Sequence, residues 1–289
     1  MRSKRWAQMC TKLRPETIVK LDEKVYALGL TGFPLGHSLS PELQRASLAK
    51  AGLAGDYRLY PVPPGDVVSL KVLVDRLRSR DLHGLNVTIP HKQTVMALVD
   101  ELTEEAEAIG AVNCLYLRNG RVIGDNTDAA GFLTDLERLL PSRGLAHTLV
   151  LGAGGSARAV VYALARSGRP VTVAARRPEQ AAELAGRLGG FLPQARIAAV
   201  ELTPECLAAT PPVDLIVNTT PLGMHPKVEG CAWPEELAFP PGAAVYDLVY
   251  NPPETVLVKR ARAVGLPAFT GLGMLVEQAN RSFELWVGR

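Results

Sequence analysis

The chain has 289 residues, 47% of them hydrophobic and 21% charged, with 32 basic against 29 acidic side chains. That length predicts about two domains, and the composition excludes a disordered chain, which would combine low hydrophobicity with high net charge. The near-even charge argues against a dedicated nucleic-acid binder, whose affinity needs a basic footprint, and no apolar run reaches the ~18 residues of a membrane span, so a small-molecule partner is expected. Residues 1–23 are basic but lack the apolar core of a secretory signal, and are set apart as an extension. Cys10, Cys114, Cys206 and Cys231 form no CxxC pair. This spacing predicts free thiols in a reducing cytoplasm and no metal site.

Strands and helices then alternate. Val25–Thr31 reads as a strand, and Pro41–Ala51 as a helix with Ser40 as its N-cap and Pro41 at the first helical position. Tyr57–Val62 is a strand. Asp66–Ser79 is a helix with Val67, Leu70, Val74 and Leu77 on one face. Leu85–Ile89 is a short strand, and Val112–Leu117 and Val122–Gly124 flank Asn119-Gly120, a hairpin signal because both turn positions tolerate positive φ. Asp128–Leu140 is a helix. A second series runs through a strand at Thr148–Leu151, a helix at Ser156–Ser167, a strand at Val171–Ala175 and a helix at Pro178–Leu188. It continues with strands at Leu215–Asn218 and Val245–Leu248 and helices at Thr255–Val264 and Met274–Val287. Such alternation predicts two α/β units with parallel sheets.

Between the strand at Thr148–Leu151 and the next helix lies LGAGGSARA. Gly152, Gly154 and Ala157 fit G-x-G-x-x-[G/A]: the first glycine makes the tight turn, the second lets backbone approach a pyrophosphate, and the alanine keeps helix and strand close. The helix N-terminus offers free N–H groups to phosphate. The alternative is a glycine-rich loop with no ligand. An NAD site usually carries an acid at the end of the following strand; here Arg176 and Arg177 stand there. Two guanidiniums pair with a 2′-phosphate, so NADP(H) is the expected cofactor. The alternative is two surface arginines at a strand end.

Three polar clusters lie outside this unit. In GHSLSPELQ, Ser38 and Ser40 point the same way if extended, and form either a carboxylate cradle beside a helix start or a simple cap. In NVTIPHK, Lys92 follows an apolar strand at the end where open α/β sheets bind ligands, and is either an acid/base group or a solvated lysine. In GAVN and GDNTD, Asn113 and Asp128 are candidates. Asp128 is either the cap of its helix or a carboxylate partner of Lys92.

Together, GFPLGHSLSP, NVTIPHK, GAVN, GDNTD, GAGGSARA, NTTPLGM, YDLVYNP and GLGMLVEQA resemble shikimate dehydrogenase, in family order from about residue 25 to the end. The resemblance implies an α/β fold of two domains, an N-terminal substrate domain and a Rossmann-like dinucleotide-binding domain, with a cleft between them. The first would hold 24–127 plus 271–289, the second 128–270. The implied reaction is the NADPH-dependent reversible reduction of 3-dehydroshikimate to shikimate in aromatic amino-acid biosynthesis. Carried over by motif, Ser38 and Ser40 bind the substrate carboxylate, and Thr88, Asn113, Asp128 and Gln278 bind ring hydroxyls. Lys92 is the acid/base with Asp128 beside it, and Tyr250 reaches the substrate. Gly152, Ala153, Gly154, Gly155 and Ser156 hold the pyrophosphate, Leu248 and Gly271 lie along the nicotinamide, and Glu104 approaches the cofactor. The chain departs from the family's Asn-Arg-Thr in carrying Ala175-Arg176-Arg177. The rival readings are a quinate/shikimate dehydrogenase and a non-catalytic sensor of these acids. A monomer or homodimer is expected.

Overall fold

The computed structural model describes residues 24–141 and 146–288; the basic extension with Cys10 lies outside them. Two six-stranded sheets organise the chain. The first contains β1 (Tyr26–Gly32), β2 (Gly55–Pro61), β3 (Gly84–Val87), β4 (Glu101–Leu102), β5 (Cys114–Arg118) and β6 (Arg121–Asp125), in the order β2-β1-β3-β5-β6-β4. It is mixed rather than parallel as expected, because β5 and β6 form a hairpin and β5 runs antiparallel to β3. Asn119 and Gly120 take φ of 53° and 76°, the conformation that lets a two-residue turn match strand twist.

The first sheet carries α1 (Ser40–Lys50) and α2 (Val67–Arg78). The α2 helix starts where the Asp66 carboxylate accepts from Ser69 N–H at 2.9 Å, and buries Leu70, Leu73, Val74 and Leu77. Two expected caps are corrected. The α1 helix begins at Ser40, so that Leu39 is its N-cap, and the Ser38 hydroxyl accepts from Ser40 N–H. The helix α4 (Asp128–Leu139) begins at Asp128 itself; Asn126 accepts its first amides, which leaves the Asp128 carboxylate free of capping. The sequence reading passed over β4 and α3 (Glu104–Ile109), the latter bounded by the Thr103 cap and left-handed Gly110.

The second sheet contains β7 (Thr148–Leu151), β8 (Val171–Ala175), β9 (Ile197–Glu201), β10 (Leu215–Asn218), β11 (Ala244–Asp247) and β12 (Ala268–Thr270). It is wholly parallel, in the order β12-β11-β10-β7-β8-β9, the doubly wound arrangement. Its strands β7, β8, β10 and β11 are buried on both faces and read as largely apolar runs. One face packs on α4, α5 (Gly155–Arg166) and α6 (Pro178–Phe191); the other packs on α7 (Pro204–Ala208) and α8 (Val256–Ala263). The edge strands β9 and β12 and the five-residue α7 were not read from sequence.

The last helix, α9 (Leu272–Val287), packs on α4 and α1, so it follows the second sheet in sequence but covers the first. Trp286 fills the space over Gly84 and donates its indole N–H to Leu115 O at 3.0 Å. Among the described residues no helix is long and apolar enough to cross a membrane.

Candidate active site

A cavity of about 440 Å³ opens between the two sheets. Among its buried polar groups is Lys92, set just beyond β3 by the Ile89-Pro90-His91 turn, and 8% exposed. Lys92 Nζ donates to Asp128 Oδ2 at 2.5 Å and to Ser156 Oγ at 3.3 Å. A buried ion pair is tolerated when its other donors and acceptors find partners; here a second ammonium N–H and the second carboxylate oxygen do. Asp128 Oδ1 accepts from Asn113 Nδ2 at 2.8 Å, and that amide also reaches Thr127 Oγ1 and Gln278 Oε1. Asn113 Oδ1 in turn accepts from Thr127 N–H at 2.7 Å. So β5, the start of α4 and the middle of α9 meet at one amide.

Ser38, Ser40, Thr88, Asn113, Tyr250 and Gln278 line this cavity with Lys92 and Asp128. Tyr250 enters from the loop after β11; burial pushes its phenol up from the ordinary value, and the facing Ser38 hydroxyl partly offsets this. The sequence reading assigned no role to Asn86. It accepts from Tyr57 Oη at 2.9 Å and donates to Asn113 O and Ser282 Oγ, anchoring the floor of the cavity. Its signal was an amide in a four-residue strand that is otherwise apolar. His37 and His225, also passed over, face each other across the mouth with ring centroids 4.0 Å apart.

The glycine-rich turn closes the other side. Gly152 has φ of 108°, and a Cβ there would come within 2.7 Å of Thr219 Oγ1 after β10. This is the switch point between β7 and β10, where open parallel sheets bind ligands. Nothing lies within 4 Å of where a Cβ on Gly154 would sit, and α5 starts with no side-chain cap. Uncapped first-turn amides beside open space fit a pyrophosphate. Ser156, Leu248 and Gly271 line the cavity; Gly152, Ala153, Gly154 and Gly155 form the turn behind it. Arg176 and Arg177 are exposed beyond β8, and neither guanidinium has a partner among the described residues. Glu104 does not join this group. It lies in the first turn of α3, in a separate depression with Arg118, Tyr162 and Arg166, where burial raises its neighbour Glu105.

A doubly wound sheet with a phosphate-type turn, facing a buried lysine–carboxylate pair, defines a dinucleotide-linked α/β oxidoreductase. The comparisons narrow this. Residues 30–115 match the family model for the shikimate dehydrogenase substrate binding domain. A shikimate dehydrogenase (NADP(+)) of Salinibacter ruber is 42% identical over 93% of this chain and 94% of its own. The Thermus thermophilus shikimate 5-dehydrogenase solved with NADP(H) and shikimate superposes with a TM-score of 0.77 at 36% identity, over 91% of this chain and 94% of that one. A quinate dehydrogenase of Corynebacterium glutamicum in complex with NAD has a TM-score of 0.81 at 34% identity, over 92% and 95%. The chain belongs to the shikimate dehydrogenase family.

Proposed function

We propose that this chain catalyses the NADPH-dependent, reversible reduction of 3-dehydroshikimate to shikimate, in aromatic amino-acid biosynthesis. The observation that carries the reading is the Lys92–Asp128 pair, buried at 2.5 Å and facing a cavity that the glycine-rich turn closes. In this reading residues 24–127 and 271–289 form the substrate-binding domain and 128–270 the nucleotide-binding domain. Gly152 to Ser156 hold the pyrophosphate, Arg176 and Arg177 the 2′-phosphate, and Leu248 and Gly271 flank the nicotinamide. When bound, NADPH supplies the hydride.

The residues of the chain do the rest. Reduction places negative charge on the carbonyl oxygen, and the Lys92 ammonium stabilises that charge and delivers a proton to it. The Asp128 carboxylate orients the ammonium, while Asn113 fixes the Asp128 carboxylate through the second oxygen. Ser38 and Ser40 take the substrate carboxylate at the start of α1. Thr88, Asn113, Gln278 and Tyr250 take the ring hydroxyls. In the oxidative direction the same lysine, as the free amine, accepts the alcohol proton.

Ser38 and Ser40 both line the cavity, which favours shikimate over quinate, whose additional C1 hydroxyl would crowd Ser38. The unpaired thiols Cys114, Cys206 and Cys231 suit a cytosolic location, and action as a monomer or homodimer on a small molecule completes the proposal. The test is a substrate panel of shikimate, quinate and aminoshikimate, each with NADP+ and NAD+, read at the reduced-nicotinamide absorbance band. Highest kcat/KM is expected for shikimate with NADP+. Preference for quinate, or for NAD+, overturns the respective half of the assignment, and silence with every pair favours a sensor.

A further inference from the structure

Lys92 is gripped from both sides of the cleft. Asp128 holds it from α4, and Ser156, in the first turn of α5, holds it from the glycine-rich turn at 3.3 Å. The aliphatic stem rests on the same turn: a Cβ on Gly155 would come 3.1 Å from Lys92 Cβ and 3.2 Å from Lys92 Cδ. Resting on the function proposed above, we infer that Ser156 is a positioning residue for Lys92 as well as part of the pyrophosphate turn. We infer further that position 155 is glycine because of the lysine stem, since the three heavy atoms nearest to a Cβ there all belong to Lys92.

The chemistry of the two groups carries this. A lysine ammonium has three N–H donors and no acceptor. Asp128 takes one, Ser156 takes a second, and the third is left for the cavity that Lys92 lines. A lysine stem is flexible and loses much rotamer freedom when fixed; two acceptors on different elements, with glycine beneath the stem, define the place of Nζ. A serine hydroxyl both accepts and donates. Ser156 therefore accepts from the ammonium and keeps its own O–H for an anion at the α5 N-terminus. Hydrogen bonds in such a chain strengthen one another. An anion on the turn thus tightens the hold on the charged lysine, and by reciprocity the charged lysine favours the anion.

The other titratable groups around the cavity are His37, His225 and Tyr250, and none of them bonds Nζ among the described residues. His91, the chain neighbour, is turned away to Val62 O at 2.7 Å. Asp128 is the one charged partner of Nζ among the described residues.

The test compares wild type with Ser156→Ala, Ser156→Thr and Gly155→Ala. Each cofactor-free protein is treated with acetic anhydride across a pH series, and acetylation of Lys92 is followed by peptide mass spectrometry. Losing one acceptor of the ammonium should raise Lys92 labelling at fixed pH about fivefold in Ser156→Ala, on the scale of one hydrogen bond. Ser156→Thr, which keeps the hydroxyl, should behave as wild type. Gly155→Ala should shift the profile by displacing the stem while keeping the hydroxyl. With shikimate and NADP+, Ser156→Ala should lower kcat by a similar factor of about five and raise the KM for NADP+, with little change in the KM for shikimate. Unchanged labelling in both alanine variants, with only a raised KM for NADP+, would mean a phosphate role alone and overturn the inference. If wild type does not oxidise shikimate while the labelling still shifts, the proposed function falls and the Ser156–Lys92 link stands.

Discussion

The two sides of the cleft are built on opposite terms. On the first-sheet side the polar groups are already wired together: Lys92, Asp128, Asn113, Thr127 and Gln278 form one hydrogen-bonded chain. On the second-sheet side the amides at the start of α5 have no side-chain cap, Gly154 faces open space, and Arg176 and Arg177 stand exposed with no partner among the described residues. The first arrangement orients the Lys92 ammonium before any ligand arrives, and in the proposed reaction such a fixed electrostatic environment lowers the barrier. The second leaves donors unmet so that an anion satisfies them, and places its free energy in binding rather than in turnover.

That contrast can be broken at several points. Lys92→Ala removes the proposed proton donor and should cut kcat by about a hundred- to ten-thousand-fold with a modest change in substrate KM; near-wild-type turnover in steady-state assays would dismiss the acid/base role. Changing Arg176 and Arg177 together to Gln should lower kcat/KM for NADP+ about ten- to a hundredfold while hardly moving that for NAD+. Because both side chains are exposed, the melting temperature should stay put. A smaller effect, in stability, separates the two glycines. Gly152→Ala forces a side chain into φ of 108° against Thr219 and should cost ~1–3 kcal/mol in urea unfolding. Gly154→Ala, with open space around it, should unfold as wild type does and reveal itself only in weaker NADP+ binding by calorimetry.

The smallest effect lies far from the cleft. Arg78 and the Val122 amide hold the Asp100 carboxyl below its ordinary 3.8. A carboxyl lowered in the folded state stabilises above its unfolded pKa and ceases to do so as pH falls through the folded one. Asp100→Asn should therefore cost below ~1 kcal/mol at neutral pH, and nothing in acid below the folded value. A deficit that persists in acid would assign the loss to packing rather than charge.

Much of this was legible in the residues. The strands β7, β8, β10 and β11 are buried on both faces, so they appear as largely apolar runs, and the motif between β7 and α5 needs only local spacing. Short or edge elements escaped for the same physical reason: β9 has its side chains largely outside, and β4 has only two residues. The α3 helix was marked by Thr103 and Gly110 at its ends, but six residues carry little periodicity. The site as a set of residue types came through the family motifs. Its wiring did not, because Asn113 meets Gln278 across 165 positions and Asn86 meets Ser282 across 196. Spacing cannot show which partner a buried amide chooses. Glu104 shows the converse, a position named by resemblance that the fold directs elsewhere.

The order in which a ribosome releases this chain gives the α9 helix another meaning. Its Trp286 closes the first sheet, and its Gln278 and Ser282 complete the polar floor, yet it emerges after every strand of both sheets. The half of the molecule that is made first is thus finished last. Until α9 arrives, the face carrying Tyr57 and Cys114 stays open, Asn113 lacks its bond to Gln278 and Thr127 lacks its bond to Ser282. A nascent chain therefore holds no completed polar floor, and a truncation that spares both sheets still leaves the first without its cover.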